Sequence, residues 1–387
     1  MTKLAFLKSR LGSLGGAEKY SRELVKAFVA AGCFVTALTT GSPKKDLLPG
    51  IEWVSMGETS SFSLYNLFKF DRRCQRWLQD NPVEVVFGMD RNSYQTHYRA
   101  GNGVHAAYLN HRRRTDSWLK CASFSLNPLH YYILKLEKAA YENPGLKRLF
   151  TNSEMVRQEV LNHYNVDPDK VKVVHNGVEW EQMRGDFDAW PSVRDSLSQV
   201  LCLDRSVYQF LFVGNGFKRK GLDLLLRGLT CLRDKNFHLS VVGKDKNSSS
   251  FKELASGLGL AKQVTFFGER SDIRQFYQTA DALVIPSTYD PFANVTVEAL
   301  AMGLFVVSSS LNGGAEVLSP ATGVVIQDLF RADSIAAALG AAMRHPKSPF
   351  SSQMIRQSVA HLDFSKQIGI IVADTCKVAK YSRLNLK

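Results

Sequence analysis

Short runs of apolar residues alternate along the chain with longer stretches whose apolar positions recur every three or four residues. The runs have strand length and the periodic stretches helix length. In the first half, residues 4–7, 34–38, 83–87, 148–151 and 171–175 are predicted as strands. After a glycine-rich loop at 10–16, Ala17, Tyr20, Leu24, Phe28 and Ala31 share one face of a helix that Gly32 ends. The plan restarts at residue 210. A strand at 210–213 leads into a glycine- and lysine-rich loop, 214–221, and then a helix over 222–232 with Leu222, Leu225, Leu226 and Leu229 inward. Further strands are predicted at 238–242, 264–267, 282–285, 305–308 and 324–326, and the segment from about 350 to 387 is helical in pattern.

Strands and helices alternating at this spacing imply parallel sheets, and two such series imply two Rossmann-like domains. Each has a core of ordinary size within 387 residues. The polar stretch 179–188 lies in the expected boundary region, 178–205. Ligands of open parallel sheets bind beyond the carboxyl ends of the strands, where both glycine loops fall.

Residues 281–307 carry the most chemistry. The strand 282–285 runs into a loop, and an apolar-periodic helix opens at about Asn294. Unpaired N–H groups and aligned peptide dipoles at such a helix start favour an anion. Asp290 precedes the helix and Glu298 lies about one turn into it, so two carboxylates flank an anion site. That is the chemistry of a diphosphate between two sugars. The stretch Asp290-Pro291-Phe292-Ala293 followed by Glu298-Ala299 resembles the donor motif of the retaining GT-B glycosyltransferases of the family 4 type. Their motif is a Glu, seven residues and a second Glu; here Asp290 stands for the first Glu and Ala293 for a Gly.

The resemblance implies an α/β GT-B fold: two Rossmann-like domains with parallel sheets facing across a cleft. The N-terminal acceptor domain is expected over 1–180 and the nucleotide-sugar donor domain over 181–360. A C-terminal helix, 361–387, would cross back to the N-terminal domain. The resemblance also implies a nucleotide-diphosphate sugar as donor substrate, with no cofactor and no essential metal, because protein cations and helix ends neutralise the leaving diphosphate. Retention is expected by front-side attack without a covalent intermediate.

The loop Gly214-Asn215-Gly216-Phe217-Lys218-Arg219 approximates a dinucleotide fingerprint, but Arg219 replaces the third glycine. Gly216 and Gly221 have P-loop spacing, yet Leu222-Asp223 follows where Lys-Ser/Thr is required. What remains is Arg219-Lys220-Gly221 opening a helix. By resemblance Lys220, with Arg219 beside it, is expected to grip the donor diphosphate, a solvated basic loop being the alternative, and Asn215 stands where many members have an Arg. Phe292, Ala293, Asn294 and Val295 would surround the distal phosphate, Glu298 the ribose hydroxyls and Asp290 the donor sugar. Gly15 and Gly16 would face the donor, and a plain tight turn is the alternative for them. Asn312-Gly313-Gly314-Ala315-Glu316 matches a glycine loop near the donor pocket, or an ordinary turn before a helix.

The run Tyr98-Arg99-Ala100-Gly101-Asn102-Gly103-Val104-His105 is similar to a stretch of bacterial lipopolysaccharide-core sugar transferases, which commonly have Asp at the place of Asn102. His105 is then expected at the donor sugar or the acceptor hydroxyl, making His105, Asp290 and Lys220 the catalytic candidates. A satisfied structural histidine is the alternative.

Composition adds compartment and partners. Apolar residues make up 45% and charged residues 22%, as in globular proteins. No stretch approaches the roughly 18 apolar residues of a membrane span. The N-terminus has only four consecutive apolar residues, so a cytoplasmic location is expected. Six scattered cysteines form no Cys-x-x-Cys pair, which argues against a zinc or redox motif. The net charge of +13 calls for a phosphate-rich partner. Residues 108–138 interleave Arg112–Arg114, Lys120, Lys135 and Lys138 with Trp118, Phe124, Tyr131 and Tyr132. Leu126, Leu129, Ile133 and Leu136 are spaced as one helix face, with Asn127-Pro128 at its start. Such alternation fits an anionic membrane surface, with the chain peripheral on the inner face of the cytoplasmic membrane; a core-facing helix beside a solvated arginine loop is the alternative. Nucleic acid is the other use of the pattern, but no helix-turn-helix, RNP or zinc signature accompanies it.

The expected function is retaining, metal-independent transfer of a hexose from a UDP-sugar, UDP-glucose or similar. The acceptor would be a hydroxyl of a lipopolysaccharide-core or other membrane-linked glycan. A nucleotide-sugar epimerase or hydrolase on the same architecture is the alternative, with a basic nucleic-acid-binding protein a distant third.

Overall fold

The computed structural model describes residues 1–11, 16–41, 50–115, 118, 121, 124 and 126–384. The chain forms two compact units: Met1–His175 with Ser365–Lys387, and Asn176–Phe364.

The first unit holds strands β1 (Thr2–Leu7), β2 (Cys33–Thr39), β3 (Glu52–Ser55), β4 (Val85–Gly88), β5 (His97–Arg99), β6 (Arg148–Thr151) and β7 (Val171–Val173). They form one sheet in the order β3-β2-β1-β4-β5-β6-β7. Every pairing is parallel. The central strands β1 and β4 are buried on both faces, which is why both read as unbroken apolar runs. Its helices are α1 (Gly16–Ala30), α2 (Ser63–Asp80), α3 (His105–Thr115), α4 (Pro128–Tyr141) and α5 (Glu154–His163). Asn127 caps α4 by accepting from the Leu129 N–H, with Pro128 in the first turn. Leu126 precedes that cap and is 85% exposed, so it does not belong to the apolar face on which periodicity placed it.

The second unit repeats the plan with β8 (Tyr208–Val213), β9 (Phe237–Val242), β10 (Val264–Gly268), β11 (Ala282–Ile285), β12 (Phe305–Ser309) and β13 (Gly323–Ile326). Their order is β10-β9-β8-β11-β12-β13, again all parallel. Helices α6 (Arg184–Val200), α7 (Leu222–Cys231), α8 (Ser248–Gly257), α9 (Ile273–Thr279), α10 (Asn294–Ala301), α11 (Ala332–Met343) and α12 (Pro349–Ser358) accompany them. Leu222, Leu225, Leu226 and Leu229 of α7 are fully buried in the core of this unit.

The strand order reverses between β1 and β4 in one sheet and between β8 and β11 in the other. Loops leaving the carboxyl ends of strands on either side of a reversal diverge, opening a crevice there.

Helix α13 (Phe364–Leu384) starts at the end of the second unit and, from Ser365, belongs to the first. There Asp374 accepts from Arg148 Nε at 2.9 Å and from Lys172 Nζ at 3.1 Å, and Cys376 Sγ lies 3.8 Å from Cys33 Sγ.

Candidate donor and histidine sites

In the second unit, the loop after β8 and the loop after β11 meet at the strand-order reversal. Lys220 Nζ lies 2.7 Å and Arg219 Nη1 2.8 Å from the same Asp290 oxygen, Oδ2. Lys220 and Asp290 are both buried, whereas the Arg219 side chain is 43% exposed. Gly221 makes this approach possible. It has φ +77°, and a Cβ there would collide with the Pro286 carbonyl at the end of β11. The Thr288 N–H donates to the Arg219 carbonyl at 2.9 Å, tying the two loops by backbone as well.

Burial pushes the Asp290 carboxyl up, but Lys220 and then Arg219 outweigh it and hold the group below the usual carboxylate range. A carboxyl depressed in the folded state contributes stability that is complete above its unfolded value, about 4, and is lost as pH falls through the folded value. Asp290→Asn is therefore expected to lower stability at neutral pH and to converge with the parent protein as the pH falls through the depressed folded value. Urea midpoints measured across that range test it; a constant difference at all pH values would contradict it.

By resemblance Asp290 is expected at the donor sugar. Here both of its oxygens are engaged, Oδ2 by the two cations and Oδ1 by the Phe292 N–H at 3.2 Å. The start of α10 is also partly occupied. The Ala293 N–H, expected at a phosphate, donates to Asn312 Oδ1 at 2.9 Å. Asn312 is buried and uses its whole amide: Oδ1 also accepts from Gly314, and Nδ2 donates to Thr296 and Ser308. The loop 312–316 thus braces the helix start, and Asp290 pairs with Asn312 as an isolated parallel bridge. Spacing marks this loop only as a turn.

Glu298 sits on α10 with its Oε2 accepting from the fully buried Tyr277 hydroxyl at 2.8 Å, which fixes its rotamer. Asn294 Oδ1 accepts from Asn176 Nδ2 at 2.8 Å. Asn215 Oδ1 accepts from the Lys244 N–H at 2.7 Å, so its carbonyl joins the loops after β8 and β9. Phe292 is buried and belongs to the hydrophobic core, and Val295 packs against that core half-buried. The arrangement can hold an anion between two cations and the N–H groups of a helix start, with a carboxylate one turn further on.

In the first unit, Gly15 lies outside the described residues, and Gly16 opens α1. His105 opens α3 and is buried. Its Nε2 lies 2.9 Å from His130 Nδ1. Burial, then the Arg91 charge and His130, push its imidazole down to about 4, so it is neutral at physiological pH. Asn102 lines a cavity of about 320 Å³ together with Ser9, Arg10, Phe70, Asp90 and Arg91. Most of these follow the carboxyl ends of β1, β4 and β5. Asp90 accepts from Lys8 Nζ at 2.7 Å and from the Ser9 N–H and hydroxyl at 2.7 and 2.6 Å.

The basic run 108–138 is more committed than its composition suggests. Arg112 stacks over Phe124, 4.5 Å from the ring centre, and Lys138 pairs with Glu142. Trp118 and Tyr131 are 76% and 73% exposed. No group of three or more metal-ligand side chains occurs among the described residues. In the two Asp-x-Asp pairs of the chain, Asp167 accepts from the Asp169 N–H, and Asp186 on α6 pairs with Arg274 on α9 at 2.6 Å.

Two parallel α/β units with a cation-and-carboxylate site at the reversal of the second sheet define a GT-B-type protein. The family description "Glycosyl transferases group 1" matches residues 193–358 and "Glycosyltransferase Family 4" matches 14–182. The chain belongs to the GT-B glycosyltransferases of the family 4 type. Lipopolysaccharide glucosyltransferase WaaG of Escherichia coli K12 is 24% identical over 265 residues, 67% of this chain and 68% of that protein. An uncharacterized glycosyltransferase of Methanocaldococcus jannaschii is 31% identical over 177 residues, and this chain spans 44% of its length. Among solved structures, WaaG superposes with a TM-score of 0.76 at 22% identity, covering 95% of this chain and 98% of WaaG. HepE of Anabaena, solved with UDP-glucose, superposes with a TM-score of 0.68 at 16% identity, covering 97% and 100%.

Proposed function

We propose that the protein is a retaining, metal-independent hexosyltransferase that uses a UDP-sugar, glucose or a similar hexose. The acceptor is a sugar hydroxyl of the lipopolysaccharide core or another membrane-linked glycan. The observation that carries this reading is the convergence of Lys220 and Arg219 on Asp290 beside the start of α10. A diphosphate entering there exchanges water for two cations and helix N–H groups, and the departing nucleotide is stabilised as negative charge develops on it. WaaG, named for lipopolysaccharide glucosyl transfer, and HepE, solved with UDP-glucose, support the choice of acceptor and donor.

In this reading Lys220 and Arg219 hold the diphosphate, Glu298 the ribose, and His105 the donor sugar or the acceptor hydroxyl. Asp290 keeps the two cations in place before the donor arrives. A membrane-facing role for the first unit is supported by the exposed Trp118 and Tyr131. It is also supported by α2, which exposes Tyr65 and Phe68 beside Lys69 and Arg72, with Phe62 exposed just before it. No helix among the described residues is long and apolar enough to cross a membrane.

The test is thermal stabilisation by UDP-, GDP-, ADP- and CMP-sugars, for the parent protein and Glu298→Ala. A shift with UDP-sugars that disappears in the variant is expected. No shift with any nucleotide-sugar would take the reading away.

A further inference from the structure

Glu137 is completely buried, and no local pattern marks it. Its carboxylate accepts from Arg91 Nε at 2.8 Å, from the Tyr164 hydroxyl at 2.8 Å, and from the His105 backbone N–H at 2.8 and 3.0 Å. The N–H groups of a helix's first turn have no acceptor within the helix, so Glu137 supplies one where α3 begins. Arg91 balances the charge and also reaches the Gly103 carbonyl at 3.4 Å, holding the loop that delivers His105. A carboxylate with so many donors cannot change rotamer without leaving several of them unsatisfied.

His130 lies seven residues earlier on α4, two turns back on the same face. Its Nδ1 meets His105 Nε2, and Phe124 packs edge-on against its ring. One rigid helix therefore grips His105 twice, by the backbone through Glu137 and by the imidazole through His130. A hydrogen bond between two imidazoles needs one N–H and one lone pair, so the bond couples the tautomers of the two rings.

We propose that Glu137 and His130 are positioning residues for His105: together they fix its ring orientation and which of its nitrogens carries the proton. The proposal rests on the reading of the chain as a sugar transferase in which His105 meets substrate. Neutrality of the pair is reinforced by its surroundings. Burial and then Arg112 lower the pKa of His130, while Arg91 adds to burial at His105. His105 can then exchange its donor and acceptor nitrogens only if His130 exchanges with it, which ties the form presented to substrate to the partner ring.

The experiment compares the full-length parent with His130→Ala, His130→Asn, Glu137→Gln and Tyr164→Phe by steady-state kinetics, donor thermal shift and long-range proton–nitrogen spectra of the histidine rings. His130→Ala is expected to lower kcat about 10- to 100-fold with donor KM within about twofold. His130→Asn, whose amide can replace the ring nitrogen, should recover most of that loss. Tyr164→Phe, which removes one donor and leaves the charge in place, should show a smaller kcat loss and serves if Glu137→Gln does not fold. In the spectra His105 should be a single neutral tautomer in the parent and a mixture in His130→Ala. Parent-like kcat in His130→Ala, equal losses in the Ala and Asn variants, or an unchanged His105 spectrum would each overturn the proposal. Absence of donor binding in the parent would instead remove the transferase reading, and the spectra would still decide whether α4 sets the tautomer.

Discussion

Lys220→Ala is expected to lower kcat/KM by about 10²- to 10³-fold while the second unit stays folded, a magnitude typical of removing one preorganised electrostatic partner of the transition state. Lys220 is buried and its Nζ sits 2.7 Å from Asp290, so it is already placed before any donor binds. Its removal acts twice. A cation is lost from the diphosphate, and Asp290 is left with Arg219 alone, more negative toward an incoming anion. Asp290→Asn in the Lys220→Ala background separates the two effects: it should restore stability, by removing an under-compensated buried charge, without restoring turnover. Near-normal turnover in Lys220→Ala would take Lys220 out of the mechanism.

Gly221→Ala is expected to be as damaging by a different route. The left-handed backbone at φ +77° costs a non-glycine residue about 1–3 kcal/mol, and the new methyl group would also strike the Pro286 carbonyl. A unit of this size loses roughly 2–4 °C per kcal/mol, so melting should drop by several degrees and donor binding should go with it. Gly216 supplies the control. Its φ is +74°, but nothing lies within 4 Å of the place a methyl group would take, so Gly216→Ala carries the strain without the collision. Equal melting losses in the two variants would show that close packing against Pro286 does not matter.

The strands at the centres of both sheets are legible in the sequence because burial on both faces makes them contiguous apolar runs, as in 282–285 and 210–213. Two strands of the first sheet are not: the edge strand β3 is four half-exposed residues, Glu52–Ser55, and the interior strand β5 is three, His97–Arg99, with two polar side chains buried. Arg99, for instance, donates to the carbonyls of Thr151 and Val174. α6 contains Pro191 and a polar first turn, so its stretch reads as a domain boundary although the helix belongs to the second unit. Helix α2 has no side-chain cap at Phe62 to announce it. At the candidate donor site, residue types and spacing bring Lys220, Asp290 and Glu298 to attention, but not what each touches. Glu137 gives no signal, because its partners lie on other elements and no periodicity records such pairings; the loop of Asn312 stands out by resemblance, but not the bonds its amide makes.

The first unit is discontinuous in sequence. Residues up to His175 build its sheet, but Asp374 and Cys376, which meet Arg148, Lys172 and Cys33, are synthesised only after the whole second unit. A ribosome emitting this chain therefore presents a sheet still lacking one of its covering helices for the time needed to make nearly two hundred further residues. The second unit, contiguous from Asn176 to Phe364, has no such wait. The portion begun first is thus the portion completed last.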